Sequence, residues 1–220
     1  MSEAGNQRRA LLAAVVIEDR QRAPVIAVLL VICWALYLLA SLGDRSDALQ
    51  VPTLAIERSV PVVPWSIWVY LTHIFAVAAA LWLDPVPRRR ARTALGVLGM
   101  SLVAWPVFFF YPTTLPRSPV AFEGLTGLAW RLTRALDPPT NCIPSLHVAL
   151  ATFCGAALAR SRRELRVFGL VWAASISAST LTTQQHVLLD VFAGLGLALL
   201  CELALGCWFA DEVAAPGAGP

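Results

Sequence analysis

Six stretches of the chain, at 24–41, 64–83, 93–111, 145–159, 165–182 and 187–210, are apolar and nearly free of charge. A helix needs about 20 such residues to cross the hydrocarbon core of a bilayer. Five runs meet that length or come close, and the fourth is short. The sequence therefore predicts an all-α fold, a multi-pass membrane helical bundle of six transmembrane helices. Composition agrees: 58% of residues are hydrophobic and 14% charged, where soluble domains average about 25% charged.

Every basic residue is arginine, and the spacing of the arginines sets the expected orientation. Arg8, Arg9, Arg20 and Arg22 precede the first run, Arg88, Arg89, Arg90 and Arg92 fill the second connection, and Arg160, Arg162, Arg163 and Arg166 fill the fourth. The alternate connections hold only Arg45, Arg58, Arg117, Arg131 and Arg134, spread over many more residues. Positive charge is retained in short cytoplasmic loops, so both termini are expected in the cytoplasm and connections one, three and five outside. The expected location is a cell membrane, plasma or bacterial inner. The net charge of +3 is accounted for by this topology and by anionic headgroups, and no nucleic-acid partner is expected.

Residues 11–17 are too short for a span and are followed by Glu18, Asp19 and Arg20 rather than a small-residue cleavage site, so the first run is read as an uncleaved signal. The expected organisation is a polar lead over 1–23, one six-span domain over 24–210, and a tail over 211–220. Cys33, Cys154, Cys201 and Cys207 lie in apolar runs and only Cys142 in an outward loop, which implies no disulfide framework. The third connection opens on the proline-rich Tyr111–Arg117, which cannot continue a helix. Beyond it Leu125, Leu128, Ala129, Leu132 and Leu136 recur at helical spacing, the pattern of a short amphipathic helix on the membrane surface.

Ionisable groups inside apolar runs are costly and need a partner or a task. Asp190 follows His186 by four residues, one helical turn on the same face. A carboxylate there can engage one imidazole nitrogen and leave the other as a nucleophile of fixed direction. The pair is also a common structural helix pair, a reading that loses force at the outer end of a membrane span. The second constellation is Asn141–His147, where Asn141 or Ser145 can cap a helix and Pro144 suits its first turn. A helix start of this kind offers unpaired N–H groups to phosphate, and His147 is then placed as a proton donor. Spans four and six both begin on the outward face in the expected topology, so His147 and His186 can meet there. Arg117 reaches the same level and can fork onto phosphate oxygens. Two histidines and a carboxylate are also a donor set for non-haem iron, but the arginine and the helix start favour an anion, and neither metal nor cofactor is expected. His73, mid-span, is read as a hydrogen-bonded structural histidine.

These residues resemble the type 2 phosphatidic acid phosphatase superfamily over roughly 105–196. Pro144, Ser145, Leu146 and His147 match its Pro-Ser-x-His signature, and Ser179, His186 and Asp190 match the signature that ends in His and, four residues later, Asp. The resemblance implies a six-span bundle, His186 as a nucleophile forming a phosphohistidine, Asp190 as its orienting partner, His147 as general acid, and Arg117 and Ser145 as phosphate ligands. Phe110 stands where the family has lysine and Thr180 where it has arginine; Arg131 and Arg134 are candidates to compensate, with Ser179 and Thr180 as secondary site positions. The wording of the motifs is similar to the branch of inositol phosphorylceramide synthases, in which an alcohol replaces water as acceptor. The expected activity is therefore a lipid phosphate phosphatase with a membrane lipid substrate, the alternatives being a phospholipid headgroup phosphotransferase and a non-enzymatic membrane transporter or structural protein.

Overall fold

The structure is a computed structural model and describes residues 15–42, 47–137 and 139–209. Arg8, Arg9, Arg45 and the expected tail over 211–220 lie outside the described residues. Helix α1 covers Arg22–Ser41. The second apolar run forms α2 (Ser66–Leu71), a 3₁₀ turn (Thr72–Phe75) and α3 (Ala76–Leu83). Helix α4 covers Pro87–Phe110, α5 Gly124–Leu136, α6 Leu146–Ser161, α7 Arg166–Thr182 and α8 Leu188–Phe209.

Among the described residues five helical stretches are long and apolar enough to cross a membrane: Asp19–Ser41, Ser66–Leu83, Pro87–Phe110, Arg163–Thr182 and Leu188–Cys207. The remaining expected span is α6, whose 16 residues rise only about 24 Å. Its surroundings set it apart from the longer helices. Val148, Ala149, Phe153, Cys154, Gly155 and Leu158 are all buried, packed against α3, α4, α7 and α8. A helix sheathed in protein need not match the thickness of the lipid.

Side chains set the local breaks. In the second run the Thr72 hydroxyl donates to the Val69 carbonyl at 2.6 Å and His73 Nδ1 to the Tyr70 carbonyl at 2.7 Å, so two successive side chains compete for the helix's own acceptors and the turn tightens to 3₁₀. Pro87 occupies the first turn of α4, where its missing N–H costs nothing. Ser145 caps α6, its Oγ accepting from the Val148 N–H at 3.3 Å.

Close helix contacts rest on small residues. A Cβ at Gly155 would stand 2.5 Å from the Gly169 carbonyl oxygen, and the reverse holds at the same distance, which lets α6 and α7 touch backbone to backbone. Gly194 of α8 is equally confined, 2.5 Å from the Ser145 carbonyl oxygen. The sequence gives Gly196 the same appearance, yet nothing lies within 4 Å of its would-be Cβ. Only Gly194 faces α6.

At the arginine-rich end, Arg90 is almost fully buried and donates to the carbonyls of Asp84, Ile17 and Pro85 at 2.8, 2.6 and 3.0 Å and to Asp19 at 2.6 Å. The described part of the N-terminal lead is thereby packed onto the second connection. Glu202 pairs with Arg92 and Arg160, at 2.6 and 2.7 Å. At the opposite end, β1 (Leu49–Gln50) runs parallel to β2 (Thr113–Thr114) and joins connection one to connection three. The Thr113 hydroxyl accepts from the backbone N–H groups of Cys142 and Ile143 at 3.0 and 3.2 Å, and Glu57 accepts from the Leu188 N–H at the start of α8. Helix α5 lies on this end with Trp130 and Ala129 buried against Ile67 and Tyr70. The leucines that announced its amphipathic character, Leu125, Leu128, Leu132 and Leu136, face outward.

Candidate active site

The loop between α7 and α8 turns tightly because the Thr180 carbonyl accepts two successive N–H groups, from Gln185 at 2.9 Å and His186 at 3.1 Å. His186 is thus held at the entrance to α8. Its Nδ1 stands 3.1 Å from Asp190 Oδ2, which also accepts the Val187 N–H at 3.1 Å. Asp190 is completely buried. An ionised carboxylate only accepts, so Nδ1 of His186 carries the proton and Nε2 is left with its lone pair unless the ring is charged. That Nε2 faces Nδ1 of His147 at 3.1 Å.

His147 comes from the first turn of α6, and the two helices are tied at this level by the Ser145 N–H donating to the Asp190 carbonyl at 3.2 Å. The other nitrogen of His147, Nε2, lies 2.9 Å from the Tyr70 hydroxyl. Tyr70, nearly fully buried in α2, is also 3.0 Å from Asp137 Oδ2. Asp137 receives the Tyr37 hydroxyl on its other oxygen. Arg117 donates to the Asp137 carbonyl at 2.6 Å and approaches its carboxylate at 3.9 Å. The His73 ring meets His147 edge to face, centroids 4.4 Å apart. One continuous polar chain therefore runs from Asp190 through His186, His147 and Tyr70 to Asp137.

A cavity of about 450 Å³ opens beside this chain. Arg117, Asp137, His147, Gln185 and His186 line its polar end; Leu30, Val31 and Trp34, on the exposed face of α1, line the other. Both polar atoms of the fully buried Gln185 amide lack a protein partner. A smaller pocket of about 130 Å³, lined by Thr53, Glu57, Gln184 and His186 among others, lies on another side of His186. Burial pushes the Cys142 thiol up to about 12, so it is protonated and a poor nucleophile at neutral pH.

The remaining positions singled out in the sequence behave differently. Ser145 is fully buried and does not line the cavity; its oxygen is engaged as the cap of α6. Arg131 donates to the Phe122 carbonyl at 3.3 Å, and Arg134 donates to the Ser118 carbonyl with its guanidinium 5.1 Å from the Trp130 ring. Both fold back on their own helix and its approach, and neither lines the cavity. Ser179 and Thr180 are buried, with hydroxyls donated to the carbonyls of Ile176 and Ser177 at 2.6 and 2.7 Å. Thr180 serves the site through its backbone. Phe110 is 66% exposed, turned out of the bundle. Among the described residues no three His, Cys, Asp or Glu side chains are grouped to hold a metal ion.

Sequence reasoning did not find Tyr37, Tyr70 or Asp137. A tyrosine hydroxyl inside an apolar run needs a partner just as a charge does, and that signal was present at Tyr37 and Tyr70.

Residues 62–204 match a family model described as the PAP2 superfamily. No curated protein and no solved structure gives a significant match.

Proposed function

The chain belongs to the PAP2 superfamily, and from that premise we propose that it is a membrane lipid-phosphate phosphatase that works through a phosphohistidine on His186. The observation that carries this reading is the facing pair of nitrogens, His186 Nε2 and His147 Nδ1, 3.1 Å apart. They stand at the polar end of a cavity whose other end reaches the exposed face of α1. A lipid lying along α1 brings its phosphate to the pair while its acyl chains stay in the apolar part.

In the first step the two imidazoles part to admit the phosphate, and His186 Nε2 attacks phosphorus. The bond from phosphorus to the leaving lipid oxygen breaks, and that oxygen takes the Nδ1 proton of His147. Asp190 steadies the charge that develops on His186, as a carboxylate does for a nucleophile's imidazole elsewhere. In the second step water attacks phosphorus and gives a proton back to His147. Phosphate leaves with the electron pair of the P–N bond returned to Nε2. Arg117 supplies the cation for the phosphate oxygens.

Transfer to an alcohol is the second reading. The smaller polar pocket, with Thr53, Glu57 and Gln184 around His186, favours it, because it offers hydroxyl-binding groups beside the same histidine. In either reading the site end of the bundle faces away from the cytoplasm, since the arginines of the second and fourth connections mark the opposite end.

The test uses purified protein in detergent with short-chain phosphatidic acid, diacylglycerol pyrophosphate, and a ceramide–phospholipid mixture, scoring free phosphate and transferred headgroup together. Phosphate release lost in His186→Ala supports the phosphatase. Headgroup transfer without release supports the second reading. Turnover that survives both His147→Ala and His186→Ala removes the site from the chemistry.

A further inference from the structure

His186 has an evident partner on its outer nitrogen, Asp190, four residues away in the sequence. His147 has a matching arrangement built from distant parts of the chain. Its outer nitrogen, Nε2, meets the Tyr70 hydroxyl at 2.9 Å, and that hydroxyl meets Asp137 Oδ2 at 3.0 Å. The two inner nitrogens face each other at 3.1 Å. Each imidazole is thus backed by a carboxylate, directly for His186 and across one hydroxyl for His147.

We infer that Tyr70 and Asp137 form a positioning pair for His147, stabilising its imidazolium form and aiming Nδ1–H at the leaving oxygen. This rests on the reading of His147 as the proton donor.

The hydroxyl of tyrosine both donates and accepts, and a carboxylate only accepts. When His147 is charged, its Nε2–H donates to the Tyr70 oxygen and the Tyr70 proton goes to Asp137. The positive charge then rests on a chain that ends in a negative one. When His147 has given its Nδ1 proton to the leaving oxygen, Nε2–H stays on the Tyr70 oxygen and Nδ1 holds a lone pair ready for the proton of the attacking water. Before another phosphate enters, a neutral His147 can instead donate Nδ1–H to His186 and accept a hydrogen bond from the Tyr70 hydroxyl on Nε2. Tyr70 satisfies Nε2 in each state, a property that neither phenylalanine nor a fixed donor shares.

The other titratable groups around His147 do not duplicate this. His186 faces Nδ1, and His73 meets the ring edge to face with its own Nδ1 donated to the Tyr70 carbonyl. Arg117 lies beyond Asp137, at 3.9 Å from the same carboxylate, and by itself opposes a charge on His147. Asp137 offsets it and so lets an imidazolium and a guanidinium line one cavity.

The experiment compares the full-length protein, Tyr70→Phe and Asp137→Asn in detergent micelles, with ¹⁵N-labelled imidazoles. The chain has three histidines, so each ring is identified by its absence in a His→Gln variant. The inference expects the pH at which His147 loses its imidazolium proton to fall by about one unit, a tenfold change in its proton affinity, in Tyr70→Phe. It expects a fall in Asp137→Asn, while the His186 signals keep their wild-type tautomer and report that the fold is intact. With short-chain phosphatidic acid as the probe, the alkaline limb of the pH–kcat profile moves to lower pH in step and KM does not change. A His147 titration that is unmoved or moves upward in Tyr70→Phe overturns the inference. If the titration shifts as expected but wild-type protein turns over none of the three lipid probes, the proposed activity fails and the pairing stands.

Discussion

Substituting Gly194 by alanine tests whether the contact between α6 and α8 sets the distance between the two facing imidazoles. The added Cβ would lie 2.5 Å from the Ser145 carbonyl oxygen and 3.1 Å from Val148 Cβ. Carbon and carbonyl oxygen rest at about 3.4 Å when in contact, so the helices must separate by about 0.9 Å at this level. Ser145 precedes His147 by two residues, and its N–H is bonded to the Asp190 carbonyl, so the displacement is transmitted to the site. The 3.1 Å gap between His147 and His186 widens to about 4 Å, outside hydrogen-bond range, and the same offset carries over to the parted arrangement that admits phosphate. A misplacement of about 1 Å at a reacting group costs on the order of 100-fold in rate, and overpacking of this kind costs about 1–3 kcal/mol in stability. The assay is phosphate release from short-chain phosphatidic acid, with Tm measured on the same preparation. Gly196→Ala is the internal control: its Cβ meets nothing within 4 Å, and in a helix interior it is expected to add roughly 0.5–1 kcal/mol of stability. A Gly194→Ala protein with wild-type kcat, or equal losses for both variants, refutes the reasoning.

Asp190→Asn keeps the shape of the side chain but replaces the carboxylate that accepts from His186 and Val187. Loss of a charge-assisted bond of about 1.5–3 kcal/mol corresponds to a fall in kcat of roughly 10- to 150-fold, measured by single-turnover phosphate release. Gln185→Leu removes a buried amide with no protein partner at the polar end of the cavity; it is expected to leave Tm unchanged or raised while KM for short-chain phosphatidic acid increases. Thr180→Arg, which installs the family's usual cation, is expected to lower Tm and not to raise activity, because Thr180 is fully buried and its carbonyl holds the turn before His186; thermal unfolding beside phosphate release checks this.

The parts of this architecture legible in the sequence are those with local causes. Apolar run lengths foretold the five long helices and gave warning that 145–159 was short. Ser145 as a cap, His186 with Asp190, and the break after Tyr111 each depend on neighbours within a few residues. The His147–His186 pairing followed from topology, because both residues begin helices at one end. The rest depends on long-range geometry. Tyr70, Asp137 and Tyr37 come from three separate segments, and no spacing relates them. The leucine periodicity of α5 identified a helix, and its four leucines face outward; that Trp130, which lies off the periodic set, packs beside Ala129 on Ile67 and Tyr70 could not be read from it. Gly194 and Gly196 are two residues apart and indistinguishable by type; rotation about the helix alone decides which one meets Ser145. Phe110 and Thr180 looked like lost cations, and their settings differ: Phe110 points out of the bundle, and Thr180 works through its carbonyl.

The central claim is that phosphorus becomes bonded to His186. Short-chain phosphatidic acid labelled in its phosphate is mixed with the purified protein, quenched within the first turnover in alkaline denaturant, where phosphohistidine survives, and the labelled peptide is mapped. The account predicts label on the peptide carrying His186, labile to acid, and absent from His186→Ala. Turnover with no trapped label, or label on a peptide that lacks His186, contradicts it.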